Sequence, residues 1–323
     1  LCLQPILYVT FLYGNMASIA CTLWAMCFLC RMARDGGTWR FLPAGLLCGL
    51  TVTMKPNGWI PVLAMLIVVG LWFLSEKKWK LLPLLLLLVA GPMLCTKTVE
   101  KAYSSVSKAD LTGGIPMTAY LAMGLQESVR APGWYNEYVE RVYKNANYDP
   151  AVASDRAVQN IRSRLEKFVS APHYALDFFH EKMVSQWNET TFEAIWISKT
   201  CPYDKKARSA FGSAALNGSL RDGLEKWMEG YTIALYALFS LAMGAFARKL
   251  LRRPKEGEAP VPRPLGLGLS LCAVIVTGAF LYHMIFEAKS QYLFIYLFVM
   301  IPAAAWGLSR FFEKGGFRKR ARS

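Results

Sequence analysis

Polar side chains stand where the apolar runs of this chain end: Tyr13, Asn15, Lys55, Asn57, Glu287, Lys289 and Tyr292. Lys55 breaks an apolar stretch beside Pro56, with Asn57 next to it, while Glu287 and Lys289 fill the short turn Glu287-Ala-Lys-Ser-Gln291. Gathered in one place, they would supply two ammonium groups, a carboxylate and several hydroxyl and amide donors. Lysine binds phosphate as a point charge, so such a set suits an anionic headgroup. Charge near the hydrocarbon of a membrane is expensive and usually faces a cavity or a partner. A plainer reading stays open: Lys55 and Lys289 snorkel to the interface, and Glu287 is a solvated turn residue.

The elements that must position these groups are apolar helices. Of 323 residues, 54% are hydrophobic and 18% charged. The apolar residues are blocked into runs of roughly 17–20, about what a helix needs to cross a bilayer. Open strands would leave backbone groups unpaired in lipid, so the runs are read as helices. Expected spans are Tyr13–Cys30, Phe41–Met54, Gly58–Leu74, Leu81–Thr98, Gly230–Ala247, Leu265–Phe286 and Tyr292–Leu308. The second and third are short, so residues 41–74 are either two spans or a re-entrant pair. The fold class is therefore all-α: a polytopic transmembrane helix bundle of about seven spans with a mainly helical extracytoplasmic domain. Its divisions are residues 1–98 (N-terminal spans), 99–228 (extracytoplasmic domain), 229–309 (C-terminal spans) and 310–323 (basic tail). The chain opens on Leu1 without a secretory pattern, which reads as a start inside a longer protein.

Net charge is +15, and its distribution decides what that means. The loops Arg31–Arg40, Glu76–Lys80 and Arg248–Arg263 and the tail from Arg310 hold 18 of the 37 Lys and Arg, against five acids. The central segment from Lys97 to Lys226 is nearly neutral, with 17 bases and 15 acids. This is the positive-inside pattern, placing the basic loops in the cytoplasm and residues 99–228 outside, in a multi-pass cell-membrane protein. Anionic membrane lipid is the natural partner of those loops, and a nucleic-acid-binding role is set aside. Of eight cysteines only Cys201 lies in the central segment, which excludes a disulfide within that segment; Cys27 and Cys30 are read as apolar filling.

Within the central segment, Pro132–Asn136 opens a helical run to Tyr143. Asp149-Pro150 is a cap and first helical proline for a run to Phe168. Ala171-Pro172 starts another, with Tyr174, Phe178, Met183 and Trp187 as an apolar stripe, and Lys199–Asn217 reads as loop. Leu111-Thr-Gly-Gly-Ile-Pro116, ahead of a run Met117–Glu127, is read as a tight turn rather than a phosphate loop. His173, His180 and His283 lack the spacing of a metal site. Glu189 and Glu193 could serve as acid or base, though an exposed helix end is the plainer reading of Gln186–Glu193.

Three motifs carry a family resemblance: Tyr8-Val-Thr-Phe-Leu-Tyr-Gly-Asn15, Gly45-Leu-Leu-Cys-Gly-Leu50 leading into Lys55-Pro-Asn57, and Glu287-Ala-Lys-Ser-Gln-Tyr292. With them the chain resembles bacterial GT-C integral-membrane glycosyltransferases, in the family-39-like branch related to protein O-mannosyltransferases and lipid A aminoarabinose transferases. Gly133-Trp-Tyr-Asn136 with Gln186-Trp-Asn188 is similar to the extracytoplasmic insert of clostridial-type members. The resemblance implies transfer of a sugar from a polyprenyl-phosphate-linked donor to an extracytoplasmic glycan, lipid or protein acceptor. It implies that Lys289 and Lys55 hold the lipid phosphate and that Tyr292 lines the pocket. The lipid-linked sugar is a substrate; no cofactor follows from the motifs, and metal dependence is left open. The resemblance also implies an acidic general base in the first outer loop, which is expected upstream of Leu1, so that this piece alone would be inactive.

Two other classes compete. A transporter or lipid flippase would carry charges or broken helices near mid-membrane, whereas the polar residues here cluster at span ends. A noncatalytic membrane scaffold would tolerate substitution of Glu287 and Lys289.

Overall fold

A computed structural model describes residues 2–8, 14–108, 114–200, 209–252 and 261–314. All regular structure among them is helical: α1 (Gln4–Tyr8), α2 (Asn15–Asp35), α3 (Phe41–Met54), α4 (Trp59–Ser75), α5 (Leu86–Ser107), α6 (Met117–Gly124), α7 (Tyr138–Asn145), α8 (Pro150–Ser170), α9 (Pro172–Trp187), α10 (Ala194–Thr200), α11 (Ala210–Asn217), α12 (Leu220–Leu251), α13 (Arg263–Ile285) and α14 (Phe294–Lys314), with short 3-10 turns between several of them. Among the described residues six helical stretches are long and apolar enough to cross a membrane: Asn15–Asp35, Pro56–Ser75, Trp79–Ser107, Leu220–Leu251, Arg263–Ile285 and Phe294–Phe312. The all-α, polytopic class expected from the sequence is the observed one. The other expected span, α3, forms as a helix of 14 residues. That is a rise of about 21 Å, short of a hydrocarbon core of roughly 30 Å.

The chain divides into two compact units. The first comprises Leu1–Val99, Ala194–Gly278 and Phe294–Ser323. Here small residues let helices approach closely. A Cβ on Gly91 would lie 1.8 Å from the Gly45 carbonyl oxygen, and one on Gly45 would lie 2.4 Å from that of Leu87. The Gly45-x-x-x-Gly49 spacing thus puts α3 against α5 backbone to backbone, as small-residue pairs do in membranes. Hydroxyls join α2 to α3: Ser18 donates to the Thr51 carbonyl at 3.3 Å, and the Thr22 and Thr51 hydroxyls lie 3.4 Å apart. Elsewhere in this unit the Tyr8 and Phe294 rings stack at 4.1 Å, and α12 meets α14 where Gly307 faces Ala242.

The second unit comprises Glu100–Glu193 and Ala279–Leu293. One apolar cluster joins α6, α7 and α8 through Ala119, Ala122, Met123, Val139, Val142 and Ala157. Another joins Leu125, Phe168 and Phe178. Arg164 lies against the Phe168 and Phe178 rings and donates to the Leu125 carbonyl at 2.6 Å and the Tyr174 hydroxyl at 2.7 Å.

Local chemistry sets the helix ends. Asp149 caps α8 as expected, accepting from the amides of Ala151 at 2.8 Å and Val152 at 3.2 Å, with Pro150 in the first turn. The run expected from Pro132 starts later, at Tyr138. Asn136 turns back to accept the Tyr138 amide at 3.0 Å, and Glu137 takes φ 62°, so both lie outside the helix. Within the segment read as loop, α11 forms because Ser209 caps it, accepting the Gly212 amide at 3.0 Å. The rest of that segment from 201 to 208 lies outside the described residues.

Candidate functional site

The turn after α13 is fixed within the second unit from several directions. The Ala288 amide donates to the Gly133 carbonyl at 2.8 Å, and Gln186 Nε2 donates to the Lys289 carbonyl at 3.2 Å. Ser290 Oγ donates to Glu189 Oε2 at 2.5 Å, and the Tyr292 hydroxyl donates to Glu287 Oε2 at 2.8 Å. His283 is fully buried and stacks on the Tyr292 ring at 5.8 Å. Lys289, on this turn, is half-buried.

The partners of the turn come mainly from one face of α9 and the bend that follows. Tyr174, Phe178, Lys182 and Gln186 follow one another four residues apart, which puts them in one row. Phe178, Lys182 and Gln186 are buried, so the row continues the apolar stripe with polar side chains. The Lys182 ammonium donates to the Gly124 carbonyl and to the Met284 carbonyl, the latter at 3.0 Å. Burial pushes this group down to about 7, while the charge of Glu287 acts the other way. Two glycines make room. A Cβ on Gly124 would lie 2.4 Å from the Ile285 carbonyl oxygen, and one on Gly133, at φ +75°, would lie 2.5 Å from Lys182 Cε.

Beyond α9 the chain bends through Glu189–Glu193. Glu189 accepts the Thr191 amide and hydroxyl on one oxygen and, on the other, the Glu193 amide at 2.7 Å together with Ser290. Phe192 and Glu193 both adopt left-handed backbone, at φ 50° and 62°. Such strain in non-glycine residues is concentrated at functional sites. Glu193 is 1% exposed and accepts Arg130 Nη1 at 2.6 Å; Arg130 stacks 3.9 Å over Trp134. Burial pushes the Glu193 carboxyl up, and the charges of Lys289 and Arg130 pull it back. The expectation of an exposed helix end at Gln186–Glu193 is corrected: Gln186 and Glu193 are among the most buried side chains of the unit.

Of the residues singled out in the sequence, Glu287, Lys289 and Tyr292 come together within the second unit. Asn15, Lys55 and Asn57 fall within the first. There a Cβ on Gly14 would lie 2.8 Å from the Met54 carbonyl oxygen, which sets Asn15 beside the Lys55 elbow. Asn15 is 6% exposed, and neither its amide nitrogen nor that of Asn57 has a hydrogen-bond partner among the described residues. Tyr13 lies outside the described residues. Lys182, Arg130 and Gln291 were missed by sequence reasoning; for Lys182 the four-residue row on α9 was the available signal. Among the described residues no three His, Cys, Asp or Glu side chains gather as a metal-ligand set. No protein-family model, curated protein or solved structure matches the chain.

Proposed function

We propose that the protein is a membrane glycosyltransferase that moves a sugar from a polyprenyl-phosphate-linked donor to an extracytoplasmic acceptor, with residues 99–228 outside and the basic loops in the cytoplasm. The observation that carries this reading is Lys289 on its anchored turn, four residues beyond the membrane-length helix α13 and near enough to the buried Glu193 carboxylate for its charge to act there. A cation on an anchored turn just beyond an apolar helix suits a phosphate whose lipid chain lies in the bilayer.

In the reaction, an acceptor hydroxyl oxygen attacks the anomeric carbon as the bond from that carbon to the phosphate oxygen breaks. The bonding pair leaves on the phosphate, and the acceptor's proton passes to a carboxylate base, which the family resemblance puts in the first outer loop. Negative charge grows on the leaving phosphate, and Lys289 stabilises it in the transition state more than in the ground state. The Glu287–Tyr292 hydrogen bond and the Ser290–Glu189 bond hold the backbone that carries the lysine. The charged groups of the apolar helices cluster at their ends, which favours this reading over a transporter. Consumption of labelled polyprenyl-phosphoryl sugars by the protein in membrane vesicles tests it, with Lys289→Ala alongside. Loss of donor that depends on Lys289 supports the reading, and no consumption across a broad panel of donors removes it.

A further inference from the structure

Buried polar atoms without partners are few in folded proteins, and each one calls for an explanation. Several occur together where the bend after α9 meets the turn after α13. Glu193 Oε2, Gln186 Oε1 and both amide atoms of Gln291 are buried without a hydrogen-bond partner among the described residues. The three side chains are 1%, 0% and 1% exposed. Their backbones are tied to one another through the same few bonds. Glu189 Oε2 takes both the Glu193 amide and the Ser290 hydroxyl, and Gln186 Nε2 takes the Lys289 carbonyl. Gln291 follows directly on that stretch.

We infer that Glu193, Gln186 and Gln291, closed to solvent in this conformation, form a binding site for the hydroxyl groups of a sugar when the bend after α9 parts from the turn after α13, beside the cation that holds the donor phosphate. The hydrogen-bond inventory selects the ligand class. Three of the open atoms are acceptors, Glu193 Oε2, Gln186 Oε1 and Gln291 Oε1, and one is a donor, Gln291 Nε2. A ligand that matches them presents several O–H donors and an acceptor oxygen within a small, neutral frame, as a pyranose or furanose does. A second phosphate is excluded because the site offers it a buried carboxylate. Arg130 already occupies Glu193 Oε1 at 2.6 Å, which leaves Oε2 for a ligand hydroxyl and keeps the carboxylate oriented. The backbone strain at Phe192 and Glu193 is what holds this side chain inward in a sequence without glycine there.

The inference rests on the transferase reading for its ligand being the sugar of the donor, and it has a readout of its own. Binding of polyprenyl-phosphoryl hexoses and pentoses, of bare polyprenyl phosphate and of the free methyl glycosides is measured on the protein in nanodiscs. The wild type binds the preferred glycosylated lipid roughly 10- to 100-fold more tightly than bare polyprenyl phosphate. Glu193→Gln and Gln291→Leu bring that preference below about 3-fold; Gln291→Leu leaves the affinity for bare lipid phosphate unchanged, and Glu193→Gln, which removes a negative charge near Lys289, does not weaken it. Should Gln291→Leu fail to fold, the isosteric Glu193→Gln carries the test. Preference retained in a folded variant overturns the inference and leaves the open atoms to ordered water only, with Lys289-dependent donor consumption still free to support the transferase. Saturable binding of a methyl glycoside that both variants lose, with no lipid-linked donor bound or consumed, keeps the sugar site and removes the transferase. Wild type that binds neither glycosylated lipids nor methyl glycosides overturns the inference outright.

Discussion

Lys182 donates a hydrogen bond to the carbonyl oxygen of Met284 at 3.0 Å, and through its second bond, to Gly124, it ties three stretches of the second unit to one ammonium group. Its burial is costly to the charged form, so the folded protein releases its proton near pH 7, whereas an unfolded chain holds it until the ordinary lysine range. Between those two values the unfolded state binds more protons, so stability rises with pH and then levels off. Below about 7 both states are protonated and this residue adds no pH dependence.

The first prediction follows from that sign. Thermal unfolding in detergent should show wild type gaining stability from pH 7 to 9 through this residue. Lys182→Met removes the gain and leaves two carbonyls without their donor. The variant's deficit should therefore be about 2 kcal/mol larger at pH 9 than at pH 6. A deficit that is the same at both values would mean that Lys182 does not lose its proton in that range.

The second concerns the glycines around it. Gly133→Ala puts a methyl against Lys182 Cε and Gly124 O at a φ that alanine resists, and should destabilise by about 2 kcal/mol or more. Gly223→Ala, in α12 with nothing within 4 Å of the added carbon, should be neutral or stabilise by up to about 1 kcal/mol. The two melting temperatures measured side by side check the assignment, and equal shifts would contradict it.

Helix contact in the first unit supplies a third. Gly91→Leu cannot be accommodated where a Cβ already falls 1.8 Å from the Gly45 carbonyl oxygen. The substitution should force α3 and α5 apart and lower the yield of folded protein in detergent by several-fold, whereas Gly230→Leu, with open space around the added carbon, should not. Gel filtration of the two variants distinguishes them.

What the sequence made legible is what a short stretch of chain decides for itself. Asp149-Pro150 caps α8 because the cap and its amides are neighbours. The apolar blocks became helices because lipid leaves the backbone no alternative. Gly45 and Gly49 entered only within a motif, and the close approach of α5 to them was not read. The site was less legible because its bonds join residues far apart in the chain. Nothing near Lys182 announces that a carbonyl 102 residues further on will accept a hydrogen bond from it, so the residue was passed over. Glu193 is held inward by left-handed backbone at Phe192 and Glu193, where neither residue is the glycine or asparagine that signals such a turn. Lys289 was singled out from the turn in which it stands and Glu193 as a carboxylate able to act as acid or base, but their proximity was not legible, nor was the burial of Gln186 and Glu193.

Sidedness is tested with single cysteines in a background lacking the native ones. A membrane-impermeant maleimide should label Lys108→Cys and Lys144→Cys from outside and leave Lys255→Cys unlabelled until the membrane is opened. The reverse pattern would place the candidate site on the cytoplasmic side and remove an extracytoplasmic acceptor.

The most direct test of the central claim is donor consumption by the protein in sealed membrane vesicles supplied with labelled polyprenyl-phosphoryl sugars. Lys289→Ala should lower the rate by about 100-fold or more, the loss expected for a charge fixed at a developing anion, while Lys144→Ala, exposed on α7, should retain the wild-type rate. Equal rates in Lys289→Ala and Lys144→Ala would contradict the phosphate-binding role of Lys289, and no consumption of any donor by the wild type would contradict the transferase itself.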